Sequence, residues 1–289
     1  MLRTLVRRPV LTSLVSWPAC RANTRASQRV GALRPVQAWA SWRVVNEHTH
    51  LLASPRLGYP KKLWLFQPSS SQPATRLLVF TDAEIYLQRV GARDALRSLI
   101  AKDHSTCAIF VSHGTEAQRM TESLFNPAFS AFLCEELRAF ALEQQLVTPD
   151  APAALCGLSL TGLATLLAAL HHPGVYQAVA AQSGAYWPEN GRVLRELEAM
   201  APGIQQAFYF DVGSEETDRE GEVMSQQEGI KAVTRVLQEK GYNVTHVIFD
   251  GGHETSGWRA ALPAYLRWAA AETTLKTVHR SPLQNKRAH

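Results

Sequence analysis

The sequence has no apolar run long enough to cross a membrane. Arg, Ser or Pro interrupts even its richest apolar segments within about ten positions, whereas a membrane-spanning helix needs about 18 uninterrupted apolar residues. Its four cysteines are far apart and form no CxxC motif, and neither a P-loop nor a GxGxxG motif occurs. The sequence therefore predicts no membrane span, no metal and no cofactor. Three of the cysteines lie in apolar runs, which indicates small buried side chains in a reducing compartment.

Acidic residues are absent from both ends of the chain. Residues 1–46 contain eight arginines and no acid, and residues 276–289 contain four basic residues and no acid. The other 18 of the 30 basic residues therefore share residues 47–275 with all 25 acidic ones, which gives that segment a net charge of about −7. Because a nucleic-acid-binding domain needs basic residues clustered on its folded face, this distribution argues against one.

The first 41 residues lack the steady apolar periodicity of a folded segment. We expect residues 1–41 to be a basic, disordered leader, residues 42–275 to form one domain, and residues 276–289 to be a basic tail. The composition of the leader also fits a mitochondrial transit peptide, an export signal or a start codon placed too far upstream. A cytoplasmic location is predicted, with an organelle or export as the alternative if the leader is a targeting peptide.

Short apolar runs alternate with longer amphipathic segments after residue 42. Six runs are typical of strands: residues 62–67, 76–81, 106–112, 176–182, 207–212 and 244–250. Five segments are long enough for helices: residues 92–101, 127–145, 162–171, 220–240 and 258–272. The alternation predicts an α/β fold with a mostly parallel sheet and helices on both faces.

A strand, a tight turn and a helix are predicted around Ser159. Residues 153–170 read AALCGLSLTGLATLLAAL, so Ser159 stands at the turn with small neighbours, as the nucleophile of an acyl-transfer enzyme requires. The usual G-x-S-x-G pattern has its second glycine where this chain has Thr161, and Gly162 follows one place later. The motif alone is weak, and its weight depends on a histidine and an acid elsewhere in the chain.

A serine nucleophile needs a histidine base and an acid that orients the histidine. In enzymes with this strand–turn–helix arrangement around the serine, the chain order is serine, acid, histidine. His253 stands in a Gly-Gly-His loop directly after a predicted strand, and no other histidine has that setting. The acid is expected just past the strand at 207–212, where Glu216 is the first choice. The alternatives are Asp211, Glu215 and Asp218.

Two stretches, GLSLTGLATLLAALHHPGVYQAVAAQSGAYWP and FDGGHETSGWR, resemble the esterase family named for enterochelin esterase, within the α/β-hydrolase superfamily. The resemblance covers residues 42–271. It implies Ser159 as nucleophile, His253 as base and Glu216 as the acid of a G-x-x-E motif. It further implies a serine ester hydrolase that cleaves small carboxylic esters through an acyl-enzyme, with siderophore or other aryl esters as first candidates. A generic carboxylesterase or an inactive binding protein of the same fold is the alternative.

Backbone N–H groups must stabilise the oxyanion of such a reaction. One is expected from Leu160 and the second from Asp82 or Ala83, at the turn after the predicted strand at 76–81; the family commonly has Asp-Gly there. Substrate contacts are expected from Trp187, Tyr186, Trp258 and Arg119. For the aromatic residues, packing in a lid or the core is the competing interpretation, and for Arg119 an ion pair with Glu122.

Overall fold

Eight strands form one sheet in the computed structural model, which describes residues 45–201, 206–217 and 224–273. The strands are β1 (Val45–Leu52), β2 (Lys61–Pro68), β3 (Arg76–Phe80), β4 (Thr106–Val111), β5 (Ala153–Leu158), β6 (Ala178–Gln182), β7 (Ala207–Gly213) and β8 (Asn243–Phe249). Their order across the sheet is β1-β2-β4-β3-β5-β6-β7-β8. β2 pairs antiparallel with both β1 and β4, and every other pair of neighbours is parallel.

Helices connect the strands and cover the sheet. They are α1 (Ala83–Ile85), α2 (Ala92–Asp103), α3 (Glu116–Ser123), α4 (Pro127–Ala131), α5 (Leu137–Glu143), α6 (Ser159–His171), α7 (Pro188–Ala199), α8 (Gln226–Glu239) and α9 (Thr255–Glu272). Two π-helical turns, Tyr86–Val90 and Phe132–Glu136, extend α1 and join α4 to α5. None of the helices within the described residues combines the length and apolar character that a bilayer-spanning segment requires.

The two faces of the sheet carry two hydrophobic cores. One core contains side chains of α4, α5, α6 and α8, such as Leu167 and Ile230, and the other contains side chains of α2 and α9, such as Ile100 and Tyr265. Strands β4, β5, β6 and β7 are buried along their whole length. Burial on both faces explains why their sequences are continuous apolar runs rather than alternating ones.

The predicted α/β architecture is confirmed, and each predicted strand and helix overlaps an observed one. The sequence prediction missed β1, α1, α3 and α7. β1 lies at the edge of the sheet and most of its residues are exposed or half-buried, so it carries little apolar signal. The predictions for the leader and for the tail lie outside the described residues, as does Cys20. The other three cysteines, Cys107, Cys134 and Cys156, are free and buried as expected.

The parallel strands bring the predicted site residues to one edge of the sheet. The carboxyl ends of β3, β5, β6, β7 and β8 all lie at that edge, which is where ligands bind in open α/β sheets. The loops that leave these strands carry Asp82, Ser159, Ser183, Glu216 and His253.

Candidate active site

Ser159 stands at a sharp turn between β5 and α6. Its φ of 50° places it in the left-handed region, which is strained for a residue other than glycine and is typical of a nucleophile turn. Two glycines permit the turn. A Cβ at Gly157 would lie 2.5 Å from the Thr161 carbonyl oxygen, and one at Gly162 would lie 2.9 Å from the Cα of Gly184.

The second required glycine of this motif is therefore at position 162, where α6 packs against the turn after β6. Position 161 accommodates a side chain, since Thr161 is buried there without a clash. Its hydroxyl accepts a hydrogen bond from the Leu158 N–H at 3.1 Å and lies 2.8 Å from Oδ2 of Asp82. The departure from G-x-S-x-G thus leaves the geometry of the turn intact.

The Ser159 hydroxyl and the His253 imidazole are in hydrogen-bond contact. Ser159 Oγ lies 2.9 Å from His253 Nε2, and on the other side of the ring His253 Nδ1 lies 2.6 Å from Glu216 Oε2. The His253 side chain is 40% exposed, whereas that of Glu216 is 2% exposed. The structure therefore brings together the three side chains that the sequence predicts as nucleophile, base and acid, with the first two accessible to solvent and the carboxylate behind them.

Both oxygens of Glu216 have partners. Oε1 accepts hydrogen bonds from the Ser183 hydroxyl at 2.6 Å and from the Gly213 N–H at 2.7 Å, which leaves Oε2 for His253. Three donors around one buried carboxylate fix its orientation and compensate for its loss of hydration. Gly213 has to be glycine, because a Cβ there would lie 2.3 Å from the Gly251 carbonyl oxygen.

Of the other acids considered from the sequence, the described residues Asp211 and Glu215 do not contact the histidine. Asp211 is completely buried, and its Oδ2 accepts a hydrogen bond from the Gln182 amide at 3.2 Å. Burial raises the pKa of Asp211 to about 8, against the hydrogen bonds from Gln182 and Ser183, which lower it. Glu215 is exposed beside Gly252, and Asp218 lies outside the described residues.

Ser183 and Trp258 support the acid and the histidine. The Trp258 indole N–H donates to Ser183 Oγ at 2.9 Å, and its ring meets the His253 ring edge to face, with centroids 5.0 Å apart. Ser183 follows β6, as Ser159 follows β5, and has a φ of 46°. Sequence reasoning did not single out Ser183. The available signal was a polar residue directly after a buried apolar strand.

The turn after β3, residues 81–84, lies beside the Ser159 turn because β3 and β5 are neighbouring parallel strands. Asp82 has φ 53° and ψ 46°, whereas Ala83 is the first residue of α1 and has no positive φ. The left-handed residue of this turn is therefore the aspartate, and alanine is compatible with the position after it. Leu160 is the second residue of α6, so its N–H has no acceptor within the helix.

The four residues expected to contact substrate have different surroundings. Tyr186 is fully buried and packs edge to face on Phe210, so the structure places its ring in the core rather than on the surface of the site. Trp258 is nearly buried against His253, and Trp187 is half-buried at the start of α7.

Arg119, the fourth residue expected to contact substrate, is buried rather than exposed on the surface. It donates from Nε and Nη2 to the two carboxylate oxygens of Asp82, both at 2.8 Å, and not to Glu122. Burial lowers the pKa of Arg119, whereas the hydrogen bonds to Asp82 and the negative charge of Asp82 raise it. The raising effects together are larger, so the net shift of the pKa is upward. Glu122 instead accepts from the buried ammonium group of Lys61 and from the Tyr59 hydroxyl.

No group of three or more His, Cys, Asp or Glu side chains suited to a metal ion occurs in the described part of the chain.

The chain is similar to known esterases. The family model described as "Putative esterase" matches residues 54–269. The iron(III) enterobactin esterase of Dickeya dadantii (strain 3937) is 26% identical over an alignment of 259 residues, which covers 79% of this chain and 58% of that protein. This chain thus spans less than two thirds of the length of that relative.

Solved structures show the same fold at low identity. The enterobactin esterase from Shigella flexneri, in the presence of enterobactin, superposes with a TM-score of 0.65 at 23% identity. The superposed part covers 76% of this chain and 58% of the Shigella chain. An S-formylglutathione hydrolase from Agrobacterium tumefaciens gives 0.62 at 12% identity and covers 80% of this chain and 97% of its own. The α/β-hydrolase fold is thereby confirmed. Since the family model matches more than half of the chain, this protein belongs to the esterase family, as the resemblance in its sequence implies.

Proposed function

We propose that this protein is a serine hydrolase of carboxylic esters. The observation that carries the proposal is the chain of contacts from Ser159 Oγ to His253 Nε2, at 2.9 Å, and from His253 Nδ1 to Glu216, at 2.6 Å. In this assignment Ser159 is the nucleophile, His253 the general base and Glu216 the acid that holds the Nδ1–H tautomer. Membership of the esterase family supports the same reaction class.

The reaction begins when Ser159 Oγ attacks the ester carbonyl carbon and its proton passes to His253 Nε2. Negative charge develops on the carbonyl oxygen, where the N–H groups of Leu160 and Asp82 stabilise it, with the Ala83 N–H as the alternative to Asp82. Comparable donors contribute about 3 to 4 kcal/mol each in other enzymes. Collapse of the tetrahedral intermediate breaks the ester C–O bond, and His253 gives its proton to the leaving alcohol.

Hydrolysis of the acyl-enzyme reverses the proton transfers. Water attacks the acyl carbon while His253 takes one of its protons, and the second tetrahedral intermediate expels Ser159 Oγ, which recovers the proton. The products are a carboxylic acid and the free enzyme. The Glu216 carboxylate stabilises the imidazolium, and Ser183 and Gly213 hold it in place because they donate to its other oxygen.

For the substrate we propose aryl esters. The relative from Dickeya is named for iron(III) enterobactin, which makes catecholate esters one candidate. The described loops at the site edge (residues 81–84, 112–115, 159–160, 183–190, 214–217 and 250–255) contain no Lys or Arg but do contain Glu84, Glu215 and Glu254. Because these carboxylates disfavour a polyanionic iron complex, we place uncharged aryl esters such as feruloyl esters first.

Hydrolysis assays with three ester classes test the proposal. Purified protein is assayed with p-nitrophenyl acetate, a feruloyl ester and a catecholate trilactone with and without iron, and Ser159→Ala is the control for each. We expect turnover that disappears in the variant, with kcat/KM for the feruloyl ester above that for the iron complex. Absence of turnover with all three substrates, or equal turnover by Ser159→Ala, contradicts the assignment.

A further inference from the structure

The Thr161 hydroxyl joins the nucleophile turn to the turn after β3. We propose that Thr161 is a positioning residue, which acts through the Asp82 carboxylate to hold the oxyanion-binding N–H groups of the two turns at a fixed separation. The proposal rests on the function proposed above and adds to it the residue that takes the place of the usual glycine. It predicts that the hydroxyl at position 161 affects turnover rather than substrate binding.

Acceptor strength assigns the hydroxyl proton to Asp82. Thr161 Oγ1 lies 2.8 Å from Asp82 Oδ2 and 2.9 Å from the Leu158 carbonyl oxygen, but it has only one proton to donate. Leu158 is the N-cap of α6, a position whose carbonyl is normally the acceptor of the first backbone bond of the helix. A carboxylate is the stronger acceptor, so the proton is directed to Asp82, while Thr161 accepts from the Leu158 N–H at 3.1 Å.

Three hydrogen bonds from two side chains hold the Asp82 carboxylate. The side chain is completely buried, and it accepts two bonds from Arg119 as well as the one from Thr161. Its backbone is left-handed, a conformation that costs a residue other than glycine free energy and persists only when its surroundings impose it. Arg119 and Thr161 supply that constraint, so the backbone of the turn after β3 depends on them.

The two oxyanion donors come from separate segments, and the Thr161 side chain links the turns that carry them. It follows Leu160 directly, and it contacts the residue whose own N–H is the second proposed donor. Stabilisation of an oxyanion depends on donors that are already in place when charge develops, since reorganisation during the reaction lowers the gain. Glycine at position 161 has no side chain to make this link.

The test compares Thr161→Val with Thr161→Ser. Valine keeps the branched shape and removes the hydroxyl, whereas serine keeps the hydroxyl. With p-nitrophenyl acetate as substrate, Thr161→Val should lower kcat by about 10- to 100-fold. That range is expected when groups of an active site are slightly misplaced. KM should change less than about twofold in Thr161→Val. Thr161→Ser should retain kcat within about threefold of wild type, because it keeps the hydroxyl that bonds to Asp82.

Two further variants separate positioning from a local effect on the helix. Thr161→Gly restores the residue of the usual motif, and it replaces Thr161→Val in the comparison if the valine variant does not fold. Arg119→Lys disturbs the two bonds to Asp82 but leaves the Leu158 N–H untouched. If Thr161 acts through Asp82, Arg119→Lys also lowers kcat, and the double variant with Thr161→Val loses less than the product of the two single effects.

The outcomes distinguish this proposal from the proposed function. Wild-type turnover with kcat unchanged in both Thr161→Val and Thr161→Gly overturns the positioning role and leaves the hydrolase assignment standing. A rise in KM with unchanged kcat, or multiplicative effects in the double variant, also overturns the role. Absence of wild-type turnover contradicts the hydrolase assignment and this role with it.

Discussion

Glu216 Oε2 lies 2.6 Å from His253 Nδ1, although the two residues come from different loops, after β7 and β8. The loops are joined by backbone bonds, since the Glu215 N–H donates to the Gly251 carbonyl oxygen at 2.9 Å and the Ser214 N–H donates to that of Phe249 at 2.8 Å. Because the backbone of both loops is fixed, the carboxylate and the imidazole are held together before any substrate binds. The proposed acid and base therefore form a preorganised pair.

Replacing Glu216 by Gln should lower kcat by as much as about ten thousand-fold, the loss found for an amide in place of a triad carboxylate. In one orientation the amide NH₂ faces His253 Nδ1 and favours the wrong tautomer. In the other it faces the N–H of Gly213 and the hydroxyl of Ser183, which are donors themselves.

Steady-state kinetics measure the effect of Glu216→Gln, and Glu215→Gln in the same loop is the matched control. Glu215 is exposed and should tolerate the change with kcat close to wild type. Equal losses in the two variants, or a mild loss in Glu216→Gln, would mean that Ser159 and His253 act without this acid.

Ser183→Ala should lower both stability and turnover. The hydroxyl donates to Glu216 and accepts from the Trp258 indole, so its removal leaves a buried carboxylate oxygen with one donor fewer and a buried N–H without an acceptor. Loss of one partner of a buried polar group costs about 1 to 3 kcal/mol. Urea unfolding should show a decrease of that size, and kcat should fall because the carboxylate that orients His253 is less constrained.

Ser214→Ala is the control for that substitution, since Ser214 is exposed and its hydroxyl only accepts a 3.2 Å bond from the Gly251 N–H. A free energy of unfolding for Ser183→Ala equal to that of Ser214→Ala would contradict the support assigned to Ser183.

Asp211 should make the protein less stable as pH rises. Burial raises the pKa of Asp211 from 3.8 to about 8, so between these values the folded state holds a proton that the unfolded state has released. The free energy of unfolding therefore falls as pH increases from 4 to 8. Asp211→Asn cannot ionise, so its thermal midpoint relative to wild type should be higher at pH 8.5 than at pH 5.

Thermal unfolding at several pH values measures this difference, with the exposed Asp150→Asn as control. A constant offset between Asp211→Asn and wild type across the pH range would show that Asp211 does not titrate there.

Gly162→Ala should destabilise the fold, because a Cβ at this position would lie 2.9 Å from the Cα of Gly184 and 3.0 Å from the Cβ of Ala181. Forcing extra volume into a packed interior costs about 1 to 3 kcal/mol. In α8, Gly229→Ala is the control, since its nearest neighbours are the flexible Met224 sulfur and the Tyr186 Cβ, both at 3.3 Å. Urea denaturation that shows the same change for both variants would argue against tight packing at Gly162.

The sequence predicted the sheet and the three proposed catalytic side chains because their signals are local. Buried parallel strands appear as apolar runs, and Ser159, Glu216 and His253 each follow one of these runs within a few residues. The supporting contacts could not be predicted. The bond from Ser183 to Glu216 joins residues 33 positions apart, and that from Thr161 to Asp82 joins residues 79 positions apart, so neither leaves a local pattern.

Residue type alone also did not predict which side chains near the site are buried in the core and which face the site. Tyr186 and Trp187 are adjacent aromatic residues after the same strand, yet one ring is buried against Phe210 and the other is half-buried. Similarly, the sequence left a substrate contact or an ion pair with Glu122 open for Arg119, but the structure pairs Arg119 with Asp82, which the sequence marked only for its backbone N–H. Side-chain direction in these loops depends on packing from distant segments, which one sequence does not display.

The most direct test of the central claim is to identify the residue that a fluorophosphonate probe modifies. The probe phosphonylates activated serines, so peptide mapping of labelled wild-type protein should find one adduct, on Ser159. The adduct should be absent from Ser159→Ala and should form much more slowly in His253→Ala, because the base that removes the serine proton is missing. An adduct on another residue, or ester hydrolysis that continues without any adduct on Ser159, would contradict the account.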